Sequence, residues 1–364
     1  MAELADAQDL KSWDSKESCG FDSRPRHQIT RKYGLDDAFG GNAPRSVNGL
    51  LRCVASVACF VGIAASRSDP LVFFRPDVTI TEGDRRQLDR GEPIARPLDA
   101  RGAEVAVFAA VPVAVDADRF VGWIEHIEQL KKSEYVPAIH RFSTPPTIDD
   151  LAGLTLDSDD RDAIAACEPD DCALKLSADE VRALRRQPAA ARDREFRSIV
   201  LARVARYLAT GEPVDGCLRM IGHSPFLTAG VPELVAQLHD PPHPDAAGGS
   251  FLYWSQEHLA GRSIVIVTDV RVVRSDDPGR PAVLVAGKEI FWSRYLSASL
   301  GVTALMRGRS PSTNYLVYVN RSEVDAVHGF FGGIIRWAIQ RRLAGEAAGV
   351  LRSLRIRLEG GEPK

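Results

Sequence analysis

The chain ends in a long amphipathic segment that has to be buried against another apolar surface. Its first apolar stripe, at helical spacing, consists of Val324, Val327, Phe331, Ile334, Ile335 and Ala338. A second stripe follows Gly345 and consists of Ala347, Val350, Leu351, Leu354 and Leu358. We predict one long helix with a capping signal at Ser322 and Asp325. A stripe of this length predicts that the helix packs on another layer of the fold.

The residues before this helix are predicted to form an antiparallel sheet. The strand-like runs are residues 250–257, 263–274, 282–292, 299–307 and 313–320. Residues 275–279 and 308–312, which separate some of these runs, have the composition of hairpin turns. Sequential strands joined by short turns form an antiparallel meander, and this meander is the surface available to the last helix.

The first half of the chain supplies further elements of an α+β fold. Residues 104–113 are nearly all apolar, as in a strand covered on both faces. The helix predicted next carries a stripe of Phe120, Trp123, Ile124, Ile127 and Leu130. Residues 135–142 are predicted to be a second strand. Between residues 143 and 248 the periodicity is helical, and we interpret this stretch as a helical insertion.

The N-terminal residues indicate export. Residues 1–46 are polar without a sustained apolar period, which predicts a disordered or over-extended start. Residues 47–66 combine a basic entry, the apolar run 53–65 and small residues at its end, the pattern of a signal peptide cleaved near Ala64 to Ser66. The mature protein would then be periplasmic or secreted. The alternative is a cytoplasmic protein in which this run is a buried helix or strand.

The apolar run is also too short for a membrane anchor. A transmembrane helix needs about 20 apolar residues, so we expect no transmembrane span in the mature chain. Cys167 and Cys172 bracket a turn-like tetrapeptide, and in an oxidising compartment they would close a disulfide loop worth about 2 kcal/mol. The alternative is two free thiols in a reducing cytosol. No matched ligands stand nearby for zinc, and we predict neither a metal nor a cofactor.

Composition and motifs argue against several functions. The formal net charge is -3 and no long basic run is present, which argues against a nucleic-acid partner. The nucleophile elbow of hydrolases, the phosphate-binding loop and the glycine-rich dinucleotide turn are all absent from the sequence. The sequence therefore predicts no particular reaction.

The order strand, helix, helical insertion, antiparallel meander and long C-terminal helix resembles the START/SRPBCC superfamily, the helix-grip fold. Residues 104–130 and 250–359 carry this likeness. The sequence also resembles a group of uncharacterised exported bacterial proteins through Cys167-x-x-x-Asp171-Cys172 with Lys175-Leu176, through Tyr253-Trp254-Ser255, and through Asn320-Arg321 before Gly329-Phe330-Phe331. The resemblance implies a helix-grip domain made of residues 67–142 and 249–359, with residues 143–248 inserted.

The resemblance further implies a cavity between the sheet and the last helix for a lipid, a sterol, a polyketide or another apolar ligand. Polar and aromatic residues on the predicted strands and the last helix are the candidate ligand contacts: Tyr253, Trp254, Asp269, Arg271, Glu289, Arg294, Tyr318, Arg321 and Phe331. The alternative for the charged residues is a ladder of cross-strand ion pairs on the outer face of the sheet. For the aromatic residues, the alternative is core packing.

Together with the export signal, the resemblance implies a non-catalytic protein that binds a hydrophobic or amphipathic small molecule, such as a lipid, outside the cytoplasm. One alternative is an enzyme of the polyketide cyclase or aromatase kind, in which a pocket histidine or aspartate such as His258 or Asp269 performs acid–base work. Another alternative is an interaction module whose helical insertion docks an envelope protein partner.

Overall fold

A computed structural model describes residues 69–168, 172–211, 215–240, 249–259, 262–310 and 313–363. These residues form an α+β fold built on an eight-stranded antiparallel sheet and closed by a C-terminal helix. The α+β class, the meander and the C-terminal helix predicted from the sequence are therefore confirmed. The predictions for residues 1–46 and for the signal peptide concern residues outside the described part of the chain.

Three strands precede residue 142 and five follow residue 250, and the helical stretch between them separates the two groups. They are β1 (Ile94–Pro97), β2 (Glu104–Val113), β3 (Ala138–Arg141), β4 (Phe251–Leu259), β5 (Arg262–Arg274), β6 (Val283–Trp292), β7 (Leu296–Arg307) and β8 (Asn314–Val324). Their order in the sheet is β1-β2-β8-β7-β6-β5-β4-β3. The meander β4 to β8 therefore forms the middle of the sheet, and the early strands pair with its two outer strands.

Helices cover both faces of this sheet. They are α1 (Glu82–Asp89), α2 (Ala117–Glu125), α3 (Ile127–Lys131), α4 (Ser158–Ala166), α5 (Ala178–Arg186), α6 (Arg192–Thr210), α7 (Asp215–Gly222), α8 (Pro225–Thr228), α9 (Pro232–His239) and α10 (Gly332–Glu359). Short 3-10 turns occupy Pro70–Phe74, Ile148–Leu151 and Ala189–Ala191. Of these helices, α4 to α9 lie within residues 143–248.

The two faces of the sheet have separate apolar cores. One face, with Phe108 and Val319, packs against the N-terminal turn and helices α7 to α9, and its outer part, with Trp254, packs against α4 to α6. The other face, with Val111 and Val270, packs against α2, α3 and the end of α10. Double coverage explains why every residue of β2 is buried, as its uninterrupted apolar sequence predicts.

The last helix begins later than its sequence pattern predicts. Ser322 is not a helix cap, because β8 continues to Val324 and pairs Ser322 with Val105 of β2. Strands on both sides satisfy the backbone of this segment, and this pairing prevails over the helical spacing of its apolar residues. The helix starts at Gly332, after a left-handed turn at Gly329 with φ of 70°.

Cys167 and Cys172 are joined by a disulfide with their Cα atoms 4.4 Å apart. Cys167 stands at the end of α4 and is buried. Among the described residues, none of the helices has the length and apolar character needed to cross a membrane.

Removing this disulfide is expected to destabilise the protein. In the double variant Cys167→Ser and Cys172→Ser, the unfolded chain regains the freedom of the closed loop, and the free energy of unfolding should fall by about 2 kcal/mol. Chemical denaturation under non-reducing conditions measures this change. In the variant, dithiothreitol should have no further effect; equal midpoints for variant and wild type would refute the prediction.

Candidate functional site

A cavity of about 290 Å³ lies between the sheet and α10. Strands β4 to β8 form its floor, α2 and α3 form one wall, and α10 covers it. Apolar side chains supply most of the lining: Phe120, Ile124, Ile127, Leu130, Val270, Val285, Leu343, Ala347, Val350, Leu351 and Leu354. A volume of this size is close to the lower end of known ligand pockets, about 300 Å³.

The space exists because two glycines face each other on neighbouring strands. Gly287 of β6 pairs with Gly301 of β7, and both line the cavity. A Cβ atom on Gly301 would lie 3.7 Å from the Tyr318 ring, an ordinary contact distance, so a side chain would fit there. On the helix side, the small residue Ala347 lines the same space. The cavity is therefore specified by small residues in both layers.

Three polar atoms in the cavity lining have no hydrogen-bond partner within the described protein. They are Oε2 of Glu289 on β6, Oγ1 of Thr268 on β5 and Oε2 of Glu346 on α10, whose other carboxylate oxygen pairs with Arg342. Glu289 and Thr268 are direct cross-strand partners, so their side chains stand next to each other. An unsatisfied buried polar group costs about 1–3 kcal/mol. A ligand that hydrogen-bonds to these atoms would recover part of this energy.

An ion pair stands beside the cavity. Lys131 Nζ lies 2.5 Å from Glu257 Oε1 and donates a hydrogen bond to Tyr253 Oη at 3.2 Å. Burial acts to raise the pKa of Glu257, but the Lys131 ammonium prevails and holds this pKa below its usual range. Lys131 and Glu257 therefore stay charged and neutralise each other.

Glu289 differs from Glu257 because none of the described residues forms an ion pair with it. Burial, with a further contribution from the charge of Glu257, raises the pKa of Glu289 to about 7. Lys131 and a hydrogen bond with Ser299 oppose this increase. Burial, followed by the charge of Glu289, also raises the pKa of Tyr318. The Glu289 carboxyl is thus half protonated near neutral pH and can donate or accept a proton within an apolar space.

The protein is expected to lose stability as Glu289 ionises. Its pKa is raised from 4.5 to about 7 by the fold, so the stabilisation is complete below pH 4.5 and is lost as the pH rises through 7. The loss should be roughly 3 kcal/mol. Glu289→Gln should remove this pH dependence, which urea unfolding at several pH values measures. Glu134→Gln, at an exposed position, is the control; equal slopes for Glu289→Gln and wild type would contradict the assignment.

Three of the predicted ligand contacts line the cavity: Tyr253, Glu289 and Tyr318. They come from three different strands, β4, β6 and β8, and their side chains point to the same face of the sheet. Trp254 does not join them. It follows Tyr253 directly, so its side chain points to the opposite face of the sheet. There its indole nitrogen donates a hydrogen bond to the Asp150 carbonyl at 2.8 Å.

Asp269 and Arg271 also lie on the opposite face, beneath the α6 helix. Asp269 Oδ2 accepts hydrogen bonds from the Tyr207 hydroxyl at 2.5 Å and from Arg271 at 2.9 Å, and Lys288 Nζ is 3.9 Å away. Asp269 is 0% and Arg271 3% exposed. The interpretation of these residues as an outer-face ladder is wrong, because helices cover this face and the charges are paired in the interior.

The remaining predicted contacts lie away from the cavity as well. Arg294 is buried and pairs with Asp160 at 2.7 Å, and Arg321 is buried and pairs with Glu104 at 2.5 Å. Phe331 precedes the first turn of α10 and is 62% exposed. The cavity is lined by none of Trp254, Asp269, Arg271, Arg294, Arg321 and Phe331.

The histidine and aspartate considered for acid–base chemistry do not meet. His258 is exposed at the end of β4, whereas Asp269 is buried on the face opposite the cavity. Among the described residues that line the cavity there is no histidine and no aspartate. Of the titratable residues in the lining, Glu289, with its pKa of about 7, is the one suited to proton transfer near neutral pH.

Several cavity residues were missed by reasoning from the sequence. They are Lys131, Thr268, Gly287 and Gly301, with Glu257 next to them. One feature of the sequence could have indicated the residues that form the floor of the cavity. Gly287 and Glu289 are two residues apart on β6, and Gly301 and Thr303 are two residues apart on β7. Small or polar residues at alternate positions of otherwise apolar strands interrupt one face of a sheet.

Comparisons with known proteins do not assign the chain to a family. No family model matches it, and no curated protein matches it. The solved structure of the protein TTHA0849 from Thermus thermophilus is similar over 41% of this chain and 90% of that chain, with 12% sequence identity and a TM-score of 0.25. A similarity this low carries no argument about fold or function, so the START/SRPBCC resemblance stays a prediction.

Proposed function

We propose that the protein binds a hydrophobic or amphipathic small molecule, such as a lipid, in the cavity between the sheet and α10. The observation that carries this proposal is the combination of an apolar space with two adjacent unpaired polar atoms in its lining. Binding would come from burial of the ligand's apolar part, worth about 25 cal/mol per Å². The Glu289–Thr268 pair would fix the orientation of its polar end.

The charges of the residues around Glu289 favour a ligand with a neutral polar end. Lys131 and Glu257 neutralise each other, and Glu289 is at least half protonated at and below about pH 7. A protonated carboxyl and a hydroxyl can donate hydrogen bonds to a hydroxyl or carbonyl oxygen of the ligand. A ligand carboxylate would instead be opposed by the ionised form of Glu289. The proposed ligand is therefore a long-chain alcohol, a ketone, a sterol or a related neutral amphiphile.

Action outside the cytoplasm is part of the proposal. The signal-peptide pattern of residues 47–66 supports it, and the Cys167–Cys172 disulfide is typical of proteins from oxidising compartments. N-terminal sequencing of the mature protein tests this part. The sequence should begin near Ala65 or Arg67, and an intact Met1 would refute export.

Organic extraction of the purified full-length protein, followed by mass spectrometry, tests the binding function. The expected result is a neutral amphiphile that co-purifies with the protein and is depleted in extracts of Glu289→Lys, which places a cation beside the polar end. The exposed change Glu134→Lys, which adds the same charge away from the cavity, is the control. Extracts without any compound above the background of the control purification would refute the proposal.

A second candidate function is acid–base catalysis on a ligand in the same cavity. The observation that favours it is Glu289, whose pKa of about 7 suits proton transfer near neutral pH. Incubation of the protein with the compound found by extraction tests it. A product that forms with wild type and not with Glu289→Gln, at equal ligand affinity, would favour the enzyme; unchanged ligand would favour simple binding.

An interaction module based on the helical insertion has less support. In the described part of residues 143–248, one large apolar side chain is exposed, that of Ile148, at 36%. The apolar side chains of α6, such as Val200 and Val204, are turned towards the sheet instead. A docking surface formed by this insertion would therefore have to be polar.

A further inference from the structure

Large apolar side chains are exposed where α10 begins. Phe330 is 96%, Phe331 62%, Ile334 56% and Trp337 59% exposed. We call these four residues the α10 tip. Isolated exposed apolar residues are normal on protein surfaces, but a contiguous group of large ones marks an interaction site.

The α10 tip projects from the protein and is not a misplaced part of the core. Ile335 and Ile339, on the other side of the same turns, pack with Leu343 against Val105 and Val107 of the sheet. The inward face of the helix is thus already occupied. Phe330 and Phe331 stack edge to face with ring centroids 5.2 Å apart, which holds the two rings together outside the protein surface.

The sequence around the α10 tip is basic. Residues 326–345 contain Arg336, Arg341 and Arg342 and no aspartate or glutamate. Of the three arginines, Arg342 pairs with Glu346 at 3.0 Å, so the basic character rests on Arg336 and Arg341. The Arg341 guanidinium lies 5.4 Å from the centre of the Trp337 ring. Arg336 donates hydrogen bonds to backbone carbonyls of the loop at Ala100 and Gly102. The positive charge of this arginine is therefore not neutralised by an acidic side chain.

We propose that the α10 tip inserts into the surface of an anionic lipid bilayer. Protruding aromatic side chains need a partner that can accommodate them without a preformed pocket. The boundary between the lipid headgroups and the acyl chains of a bilayer can do so. Phenylalanine and tryptophan flanked by arginine are suited to this boundary, because the rings enter the apolar side and the guanidinium groups meet lipid phosphates. A symmetric contact between two copies would bring their arginines together, which disfavours self-association.

This surface is separate from the cavity, although one helix carries both. The exposed tip lies immediately before and within the first turns of α10, whereas the cavity is covered by residues from Leu343 to Arg357. Bilayer docking would bring the cavity close to a source of apolar ligands. The docking proposal does not depend on ligand binding, so the two proposals can fail independently.

Flotation of the full-length protein with vesicles tests the proposal. Vesicles of phosphatidylcholine with roughly one-third phosphatidylglycerol should bind wild type, and pure phosphatidylcholine vesicles should bind it at least about fivefold more weakly. The triple variant Phe330→Ser, Phe331→Ser and Trp337→Ser should lose at least about tenfold in affinity for the anionic vesicles. Arg341→Gln should weaken binding by about fivefold, and high salt should weaken it further.

Ile356→Ser is the matched control, because Ile356 is 66% exposed on the same helix but far from the tip. It should bind anionic vesicles as wild type does. All variants share the same N-terminus, whether or not it is cleaved, so any vesicle binding by the N-terminal apolar run cancels in the comparison. Equal binding by the triple variant and wild type would overturn the proposal. It would also be overturned if wild type were a dimer in solution and the triple variant a monomer.

Discussion

Replacing Arg321 by methionine is expected to lower the free energy of unfolding by about 3 kcal/mol. Arg321 is 4% exposed and donates hydrogen bonds to Glu104 at 2.5 Å and to Ser224 Oγ at 3.0 Å. Without the guanidinium, His223, whose Nδ1 lies 2.7 Å away, is the remaining partner of the buried Glu104 carboxylate among the described residues. The change therefore leaves a buried charge with too little compensation. Urea unfolding at neutral pH measures the loss.

The double variant Glu104→Gln and Arg321→Met provides the control. Removing both charges should recover most of the lost stability, because most of the cost comes from the unpaired Glu104 carboxylate. Asp77, the other carboxylate near Arg321, is 3.9 Å away and more exposed. Binding of the extracted ligand should be unchanged in any variant that is folded at the assay temperature, since Arg321 lies outside the cavity. Normal stability together with loss of ligand binding would show instead that Arg321 is a ligand contact, as the sequence alone predicts.

Replacing Ala347 by tryptophan is expected to reduce ligand affinity by at least about a hundredfold. Ala347 lines the cavity from the α10 side, and an indole ring attached there would occupy the volume that the ligand needs. Titration with an apolar fluorescent probe such as N-phenyl-1-naphthylamine measures the affinity. Stability should fall by about 1–3 kcal/mol, because the core is locally overpacked.

Two further variants distinguish filling of the cavity from a general loss of stability caused by the new side chain. Ala338→Trp introduces the same side chain on the same helix at an exposed position and should leave the affinity unchanged. Gly301→Val fills the cavity from the sheet side, next to Tyr318, and should also weaken binding. Unchanged probe affinity in both Ala347→Trp and Gly301→Val, with the probe still displaced by the extracted ligand, would place the binding site elsewhere.

Much of the fold was predictable because its elements have strong local patterns. The continuous apolar run of β2 indicated a strand covered on both faces, and the turns of the meander indicated antiparallel pairing. The start of α10 was not predictable, since Val324 and Val327 fit the helical spacing equally well. The pairing of Ser322 with Val105 and Ser299 makes this segment a strand. A local sequence pattern does not contain this information.

The candidate site was predictable only in part, because it depends on which face of each strand meets α10. Tyr253 and Trp254 are neighbours of equal promise in the sequence, yet they point to opposite faces. Asp269 is as polar as Glu289, but it meets Tyr207 and Arg271 beneath the insertion helices. Because both faces of this sheet are covered by helices, alternation of polar and apolar residues does not identify the face with the cavity.

Ligand binding requires that the space between the sheet and α10 hold an apolar molecule. A crystal soaked with a bromine-labelled long-chain alcohol tests it directly, because the bromine position is read from its anomalous signal. We expect a bromine peak in contact with Val285 and Leu351 and an alcohol oxygen within hydrogen-bond distance of Glu289. Side chains that fill this space, or a bromine peak only at the α10 tip, would contradict it.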